Sequence, residues 1–134
     1  MVRPASTATR VVPMLLVRDG ARAVEFYRRA FGAVGVVQFT SSNGAMMAEL
    51  SIGGAPLFVV DEEPEYGSLS PTSLGGSPVR IELLVSNPDV VTAQAIGAGA
   101  REVFSVNDPD HGYPLGRVVD PFGHYWEIGR PLTS

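Results

Sequence analysis

The chain reads Gly116-Arg117-Val118-Val119-Asp120-Pro121-Phe122-Gly123-His124-Tyr125-Trp126-Glu127-Ile128 near its end, and this stretch contains the clearest structural signal of the sequence. Its centre, Asp120-Pro121-Phe122-Gly123, has proline second and glycine fourth, which is typical of a tight turn. The flanking segments, about 116–119 and 124–129, are short and contain β-branched and aromatic residues. The stretch therefore predicts two strands joined by a turn.

A predicted strand in the second half of the chain, which contains Leu83-Leu84-Val85, has a counterpart near the beginning of the sequence. Leu83-Leu84-Val85 matches Leu15-Leu16-Val17, and in both places a polar residue that can cap a helix follows two positions later. At this offset Val12 corresponds to Arg80. The match indicates that the chain contains one structural unit twice.

A second match concerns the end of each unit. Ala48-Glu49-Leu50 matches Trp126-Glu127-Ile128 at a slightly larger offset, and longer loops in the second half account for the difference. In this alignment Glu49 corresponds to Glu127. Each glutamate alternates with apolar residues, so each is expected on the face of its strand that points away from the aliphatic core.

Periodicity divides the chain into four parts. They are a loose arm at 1–10, a β-α-β-β-β unit at 11–60 (module 1), a linker or lid at 61–78, and a second β-α-β-β-β unit at 79–130 (module 2). The predicted strands are 11–17, 34–40, 46–52 and 56–60 in module 1, and 79–85, 102–106, 116–119 and 124–129 in module 2. The fold class is therefore α+β: two repeated modules that form a curved mixed sheet with a concave ligand cavity and helices on its outer face.

The composition excludes several kinds of chemistry. The 134 residues include no cysteine, and all ten basic residues are arginine. Schiff-base lysines, thiol nucleophiles, disulfides and cysteine-ligated metals are thereby excluded. Only His111 and His124 provide imidazoles, and neither has a sequence context that predicts a catalytic triad.

The charge balance and the apolar runs limit the partners. A net charge of −4 and a pI near 5.0 disfavour nucleic acid and anionic membranes, which bind basic surfaces. The apolar run at 11–17 is too short to span a bilayer. We expect a cytoplasmic protein with no nucleic-acid or membrane partner.

The two modules and their motifs resemble a known group of proteins. Val17-Arg18-Asp19, Val24-Glu25-Phe26-Tyr27 and Phe31-Gly32-Ala33, together with the stretch 116–128, look like the vicinal oxygen chelate superfamily. This is the glyoxalase, bleomycin-resistance and extradiol-dioxygenase group. Within it, the sequence motifs of the chain are most similar to those of the PhnB-like branch. The likeness covers about 11–130 and implies neither one reaction nor catalysis.

The resemblance implies a metal position and, in this chain, its loss. Metal enzymes of the superfamily take ligands from positions that match Val12, Glu49, Arg80 and Glu127. Valine has no donor atom, and arginine is a fixed cation without a lone pair. We expect these positions to be vestigial and no metal or other cofactor to be bound, with Glu82 as the nearest alternative donor on the strand face of Arg80.

The same positions provide the candidate site. We expect Arg80 to bridge Glu49 and Glu127, either as a structural ion-pair cluster or as part of a ligand contact. The candidate ligand-binding residues, all on the expected concave face or in the loop beside it, are Met47, Glu49, Arg80, Glu82, Tyr113, Tyr125 and Glu127. His111 lies in a segment whose composition is typical of an exposed loop, so we expect it to be solvated; the functional alternative is that it acts as a general base or as a lid contact. His124 is expected to pack at the end of the turn.

The predicted function is metal-independent binding of a small, partly aromatic or oxygen-rich organic molecule. Sequestration of an antibiotic is the specific form of this function to be tested first. The alternative is a glyoxalase-like isomerase or lyase on a vicinal-oxygen substrate with Glu49 or Glu127 as base. A metal-dependent dioxygenase is disfavoured by Val12 and Arg80. The resemblance also implies a homodimer, because such sheets usually complete their cavities with a second copy.

Overall fold

The computed structural model describes residues 8–106 and 115–131, and its elements follow the predicted order. Module 1 consists of β1 (Met14–Val17), α1 (Gly20–Phe31), β2 (Val34–Thr40), β3 (Met46–Ile52) and β4 (Ala55–Asp61). A 3-10 turn (Pro64–Tyr66) and the short helix α2 (Pro71–Leu74) follow. Module 2 consists of β5 (Arg80–Leu84), α3 (Pro88–Ala98), β6 (Arg101–Phe104), β7 (Leu115–Val119) and β8 (Tyr125–Gly129). The predicted α+β class with duplicated modules is confirmed.

Each module forms its own mixed sheet of four strands. The order is β1-β4-β3-β2 in sheet 1 and β5-β8-β7-β6 in sheet 2. In both sheets the first strand is parallel to the last strand of its module, and the other pairs are antiparallel. Within residues 8–106 and 115–131 no strand pairing joins the two sheets, so the predicted curved mixed sheet consists of one four-stranded sheet from each module.

The two long helices begin and end where local chemistry dictates. Asp19 caps α1 by accepting a hydrogen bond from the backbone N–H of Arg22 at 3.2 Å, and Gly32 ends it in the left-handed region with φ 69°. Asn87 caps α3 in the same way, and Pro88 occupies the first turn, where a missing N–H costs nothing. Caps of this kind contribute about 1 kcal/mol each.

The core is shared between the modules. Helix α1 packs on sheet 1 and on α3, and its aromatic side chains reach the last hairpin of module 2. The rings of Phe31 and Trp126 are 4.5 Å apart, and those of Tyr27 and Trp126 are 5.5 Å apart. Phe122 of the Asp-Pro-Phe-Gly turn also contacts this cluster. The second module therefore completes the hydrophobic core of the first.

The face of each sheet that points away from the helices is called its open face. On sheet 1, register pairing places these side chains on the open face: Met14, Leu16, Val37, Phe39, Met47, Glu49, Phe58 and Val60. On sheet 2 the corresponding side chains are Arg80, Glu82, Arg101, Phe104, Arg117, Val119, Tyr125 and Glu127. Strand β2 forms an edge of sheet 1, and all seven of its residues are exposed.

The segment between the modules, predicted as an aperiodic linker or lid, is ordered by packing against both of them. Pro71 contacts the turn of module 2 so closely that a Cβ on Gly123 would lie 2.8 Å from the Cβ of Pro71. Gly123 also has φ 91°, which favours glycine. Among the residues that the structure describes, no helix is long and apolar enough to cross a membrane.

Candidate functional site

Three charged side chains meet on the open face of sheet 2. The Oε1 atom of Glu127 accepts hydrogen bonds from Nε and Nη2 of Arg117, at 3.1 and 2.6 Å. The Nε atom of Arg80 lies 2.7 Å from the same oxygen. Two guanidinium groups thus converge on one carboxylate oxygen, which is a strong, geometrically defined arrangement for arginine.

The members of this cluster differ in exposure. The side chain of Glu127 is 14% exposed and that of Arg117 is 26% exposed, whereas that of Arg80 is 53% exposed. The guanidinium carbon of Arg117 lies 4.7 Å from the centroid of the Phe104 ring, a cation–π contact. Arg117 and Glu127 are therefore held by their surroundings, while Arg80 reaches into solvent.

The predicted bridge from Arg80 to Glu127 is confirmed, but the predicted bridge to Glu49 is wrong. Glu49 lies on the open face of sheet 1, opposite Val37 and Phe58. No ion pair or hydrogen bond of its carboxylate is found in the described parts of the chain. The second charged partner of Glu127 is Arg117, which sequence reasoning did not single out.

Strand topology explains the error. Strand β8 lies beside β5 as β4 lies beside β1, with Glu82 opposite Glu127 and Met14 opposite Phe58. The repeat of the first strands aligns Met14 with Glu82. The counterpart of Glu127 in module 1 is therefore Phe58.

The register of the neighbouring strands assigns Glu49 to a different counterpart. Glu49 on β3 lies opposite Phe58, and Arg117 on β7 lies opposite Glu127. Glu49 thus corresponds to Arg117. A three-residue match could not distinguish β3 from β4, because both strands alternate between a buried and an open face with the same period of two.

The other predicted site residues fall into three groups. Met47, Tyr125 and Glu82 lie on the open faces, the first two half-buried and Glu82 exposed, while Val12 precedes β1 and is half-buried. Tyr113 and His111 lie outside the described residues. His124 is buried at the end of the turn, as expected, and its Nε2 lies 2.8 Å from the backbone oxygen of Leu16.

Asp120 is a buried structural residue that the sequence reasoning did not identify as such. Only 4% of it is exposed. Its Oδ1 accepts the backbone N–H groups of Phe122 and His124, at 2.9 and 3.0 Å. Its Oδ2 accepts the hydroxyl of Tyr27 at 2.5 Å and the indole N–H of Trp126 at 3.0 Å. The Asp-Pro-Phe-Gly turn therefore joins the two modules through the hydrogen bonds that Asp120 accepts.

The burial of Tyr27 and its hydrogen bond to Asp120 change the pKa of the Tyr27 phenol. Burial raises the pKa of the Tyr27 phenol well above 10, and the nearby Asp120 carboxylate adds to the effect. The phenol therefore stays protonated and donates its hydrogen bond across the module boundary.

A cavity of about 510 Å³ lies elsewhere, between the modules. Its lining comes from the end of α1, the β3–β4 turn, β5 and α3, and includes Phe31, Ile52, Leu83 and Gln94. Arg80, Arg117 and Glu127 are not among its lining residues. The charged cluster therefore lies on an open sheet face and not in this cavity.

Comparison with known proteins identifies the family. The model of the glyoxalase-like domain matches residues 11–128. The chain belongs to the glyoxalase-like domain family. The resemblance to the vicinal oxygen chelate superfamily is thereby confirmed, while assignment to its PhnB-like branch stays a prediction.

Three relatives illustrate how far the likeness extends. An uncharacterized protein of Mycobacterium tuberculosis H37Rv is 40% identical over 126 residues, which cover 91% of this chain and 74% of the relative. A gene product of Arabidopsis thaliana, known from an X-ray structure, is 30% identical with a TM-score of 0.72 and covers 92% of this chain and 100% of its own. TioX from Micromonospora sp. ML1 is 26% identical with a TM-score of 0.69, and the match covers 93% of this chain and 100% of TioX.

The divalent metal that this superfamily implies does not fit the side chains of the glyoxalase-like fold described here. With Phe58 in place of Glu49 as the counterpart of Glu127, the four positions that match metal ligands are Val12, Phe58, Arg80 and Glu127. Val12 and Phe58 have no donor atom, and Arg80 is a cation. The remaining position, Glu127, has its Oε1 in contact with two guanidinium groups. Within residues 8–106 and 115–131, no three His, Cys, Asp or Glu side chains are grouped so as to hold a metal ion.

Proposed function

We propose that this glyoxalase-like protein binds a small, partly aromatic or oxygen-rich organic molecule on the open faces of its sheets, without a metal ion. The observation that carries the proposal is the contact of Arg80 and Arg117 with Glu127. A carboxylate at a position that matches a metal ligand is neutralised by two fixed cations, which compete with a divalent ion for the same oxygen. The chain thus keeps the glyoxalase-like fold, while the side chains at the positions of the metal ligands can no longer form a metal site.

The open face of sheet 1 supports the binding of an apolar body. Met14, Val37 and Phe39 are each about half exposed, and Phe58 and Val60 are half-buried beside them. Contiguous apolar surface of this kind is unusual on a monomer unless something covers it. A ligand, a second copy of the chain, or both together would bury it.

We further propose a homodimer whose second copy helps to enclose the ligand. Strand β2 is a fully exposed edge strand that carries Val34, Val36, Val37 and Phe39, and such edges favour association. A two-fold interface is the usual solution for a chain of this size. Light scattering at micromolar concentration should give twice the chain mass, and a monomeric mass would contradict this part of the proposal.

The specific form that we propose to test first is sequestration of an antibiotic or another bioactive compound. A thermal-shift screen would compare natural products with divalent metal salts. A ligand that binds only the folded state raises the unfolding midpoint in proportion to the logarithm of its concentration. We expect an organic compound to produce such a shift and Zn²⁺, Mn²⁺, Ni²⁺ and Fe²⁺ to produce none.

Elemental analysis of the purified protein tests the metal-free part directly. We expect no stoichiometric transition metal, because Arg80 and Arg117 place two positive charges against the Glu127 carboxylate. One equivalent of a metal that is lost in Glu127→Ala would overturn the proposal. Retention of that metal in Glu127→Ala would place it elsewhere and would overturn only the assignment of this position.

An isomerase or lyase of the glyoxalase type is the second candidate, and one observation favours it. Glu49 is half-buried on an apolar face, and its carboxylate accepts no hydrogen bond in the described parts of the chain. A carboxylate in such surroundings can act as a general base. Turnover of a vicinal-oxygen substrate that is lost in Glu49→Gln would favour this candidate, whereas saturable binding without turnover would favour sequestration.

A further inference from the structure

The charged cluster on sheet 2 contains more positive charge than its carboxylate can balance. Glu127 contributes one negative charge, and Arg80 and Arg117 contribute two positive charges. The same face also carries Arg101 and Glu82, which cancel each other. The open face of sheet 2 is therefore positive by one charge on a chain whose net charge is −4.

The hydrogen-bonding capacity of the two arginines is also incompletely used. A guanidinium group has five N–H donors. Arg117 donates from both Nε and Nη2 to Glu127, whereas the closest approach of Arg80 to Glu127 is through its Nε. No hydrogen bond from Nη1 or Nη2 of Arg80 is found within residues 8–106 and 115–131, and the side chain is 53% exposed. One edge of Arg80 is thus available to a ligand.

Each of these arginines has an aromatic residue as its neighbour on an adjacent strand. Tyr125 is directly opposite Arg80 in the parallel pair β5–β8, and Phe104 lies against the guanidinium group of Arg117. Planar guanidinium groups and aromatic rings together favour a flat ligand with an oxyanion at one end. A carboxylate matches the fork of Arg80 in geometry and charge.

We propose that the free edge of Arg80 binds the carboxylate of an aromatic small molecule, and that Glu127 is the positioning residue that holds Arg80 and Arg117 in place. This inference rests on the proposed binding function and names the class of ligand: an aromatic carboxylate. Arg117 stays on Glu127 and Phe104, so the cation beneath the ligand is fixed before binding. Pre-organised charge of this kind costs little conformational entropy when the ligand arrives.

The test uses 2-naphthoate as the probe and its uncharged isostere 2-naphthamide as the comparison, each titrated calorimetrically into the full chain. We expect naphthoate to bind at least about tenfold more tightly than naphthamide, since a charge-assisted hydrogen-bond pair discriminates at about this level. Arg80→Met should abolish that preference. Arg80→Lys should keep only part of it, because an ammonium group lacks the planar fork.

Arg22→Met is the matched control. Arg22 is exposed on α1, away from both open faces, and its replacement removes the same charge. The preference for naphthoate should be unchanged in this variant. Equal affinity for the acid and the amide, no binding of naphthoate, or unchanged naphthoate affinity in Arg80→Met would each overturn the inference.

A second measurement locates the contact independently of affinity. The Arg80 Nε–H signal in a ¹⁵N correlation spectrum should move on addition of naphthoate and stay in place on addition of naphthamide. Movement of the Arg22 signal alone would overturn the inference. If neutral compounds bind in the natural-product screen without preference for acids, this inference fails and the proposed function stands; if no compound binds, both fail.

Discussion

The two open faces have the same geometry but opposite character. Sheet 1 carries apolar side chains around one glutamate, whereas sheet 2 carries arginines and glutamates together with Phe104 and Tyr125. At matching positions, Phe58 replaces Glu127, and Glu49 replaces Arg117. The two modules thus keep the same strand order and pairing, while one open face is apolar and the other is charged.

Both faces depend on a common support behind the sheets, and its removal should have the largest effect. Asp120→Ala leaves the Tyr27 hydroxyl, the Trp126 N–H and two backbone N–H groups without their buried acceptor. We expect a loss of about 3–5 kcal/mol in the free energy of unfolding, which is typical of a disrupted buried network. Urea denaturation measures this loss.

Glu25→Ala, on the exposed surface of α1, is the control for this variant and should change stability by less than about 0.5 kcal/mol. Tryptophan fluorescence reports on module 2, because Trp126 is the only tryptophan, and far-ultraviolet circular dichroism reports on the whole chain. The two transitions of Asp120→Ala should coincide. Separate transitions would show that the modules are independent and would contradict the shared core.

The contrast between the faces should be measurable with one matched pair of substitutions. Glu127→Gln removes the charge that holds Arg80 and Arg117 together, and we expect it to cost about 1–2 kcal/mol, since the site is only partly buried. Glu49→Gln breaks no ion pair in the described structure and should cost less than about 0.5 kcal/mol. Chemical denaturation in urea at low and moderate salt checks both values.

Added salt should reduce the effect of Glu127→Gln and leave that of Glu49→Gln unchanged, because screening weakens the repulsion between the two arginines. Equal losses in the two variants would mean that the faces are electrostatically equivalent. That result would contradict the difference in charge between the two open faces.

The smallest expected effect lies in the segment between the modules. Glu62 accepts the Ser70 N–H at 2.7 Å and contacts Ser73 and Arg18, and these interactions, led by Ser70, lower the pKa of its carboxyl from the usual 4.5. Its contribution to stability is therefore present above pH 4.5 and is lost as the pH falls through the lowered pKa. The unfolding midpoints of the unaltered protein and Glu62→Gln should differ slightly at pH 7 and converge in acid.

Glu65→Gln serves as the control, because Glu65 is exposed in the same segment and has no recorded partner among the described residues. Its midpoint should follow that of the unaltered protein at every pH. A gap for Glu62→Gln that persists or widens below pH 4 would contradict the assigned role of the carboxylate.

Local patterns were sufficient to predict the elements of the fold. The cap at Asp19, the stop at Gly32 and the alternation along β3 and β8 are properties of neighbouring residues, so the order β-α-β-β-β could be predicted twice. The division into two sheets depends on which strands pair over long sequence separations, which no local pattern encodes. The same holds for the order imposed on the linker by its contacts with Gly123.

The candidate site was predictable only in part. Arg80 and Glu127 were paired correctly because both lie on strands that the repeat identified. Arg117 was missed, although the turn at 120–123 fixes the hairpin register and so places Arg117 opposite Glu127. Glu49 was assigned to the wrong counterpart because alternation alone does not number the strands of a sheet.

The bond from Tyr27 to Asp120 has a consequence for synthesis of the chain on the ribosome. Its partners are 93 residues apart in sequence. At roughly 5–20 residues per second, the helix that carries Tyr27 emerges several seconds before its acceptor is made. During that interval the aromatic side chains of α1 lack Phe122 and Trp126, and the nascent module exposes an apolar surface to which chaperones bind. The aromatic core shared by the two modules can therefore form only after the last hairpin has been translated.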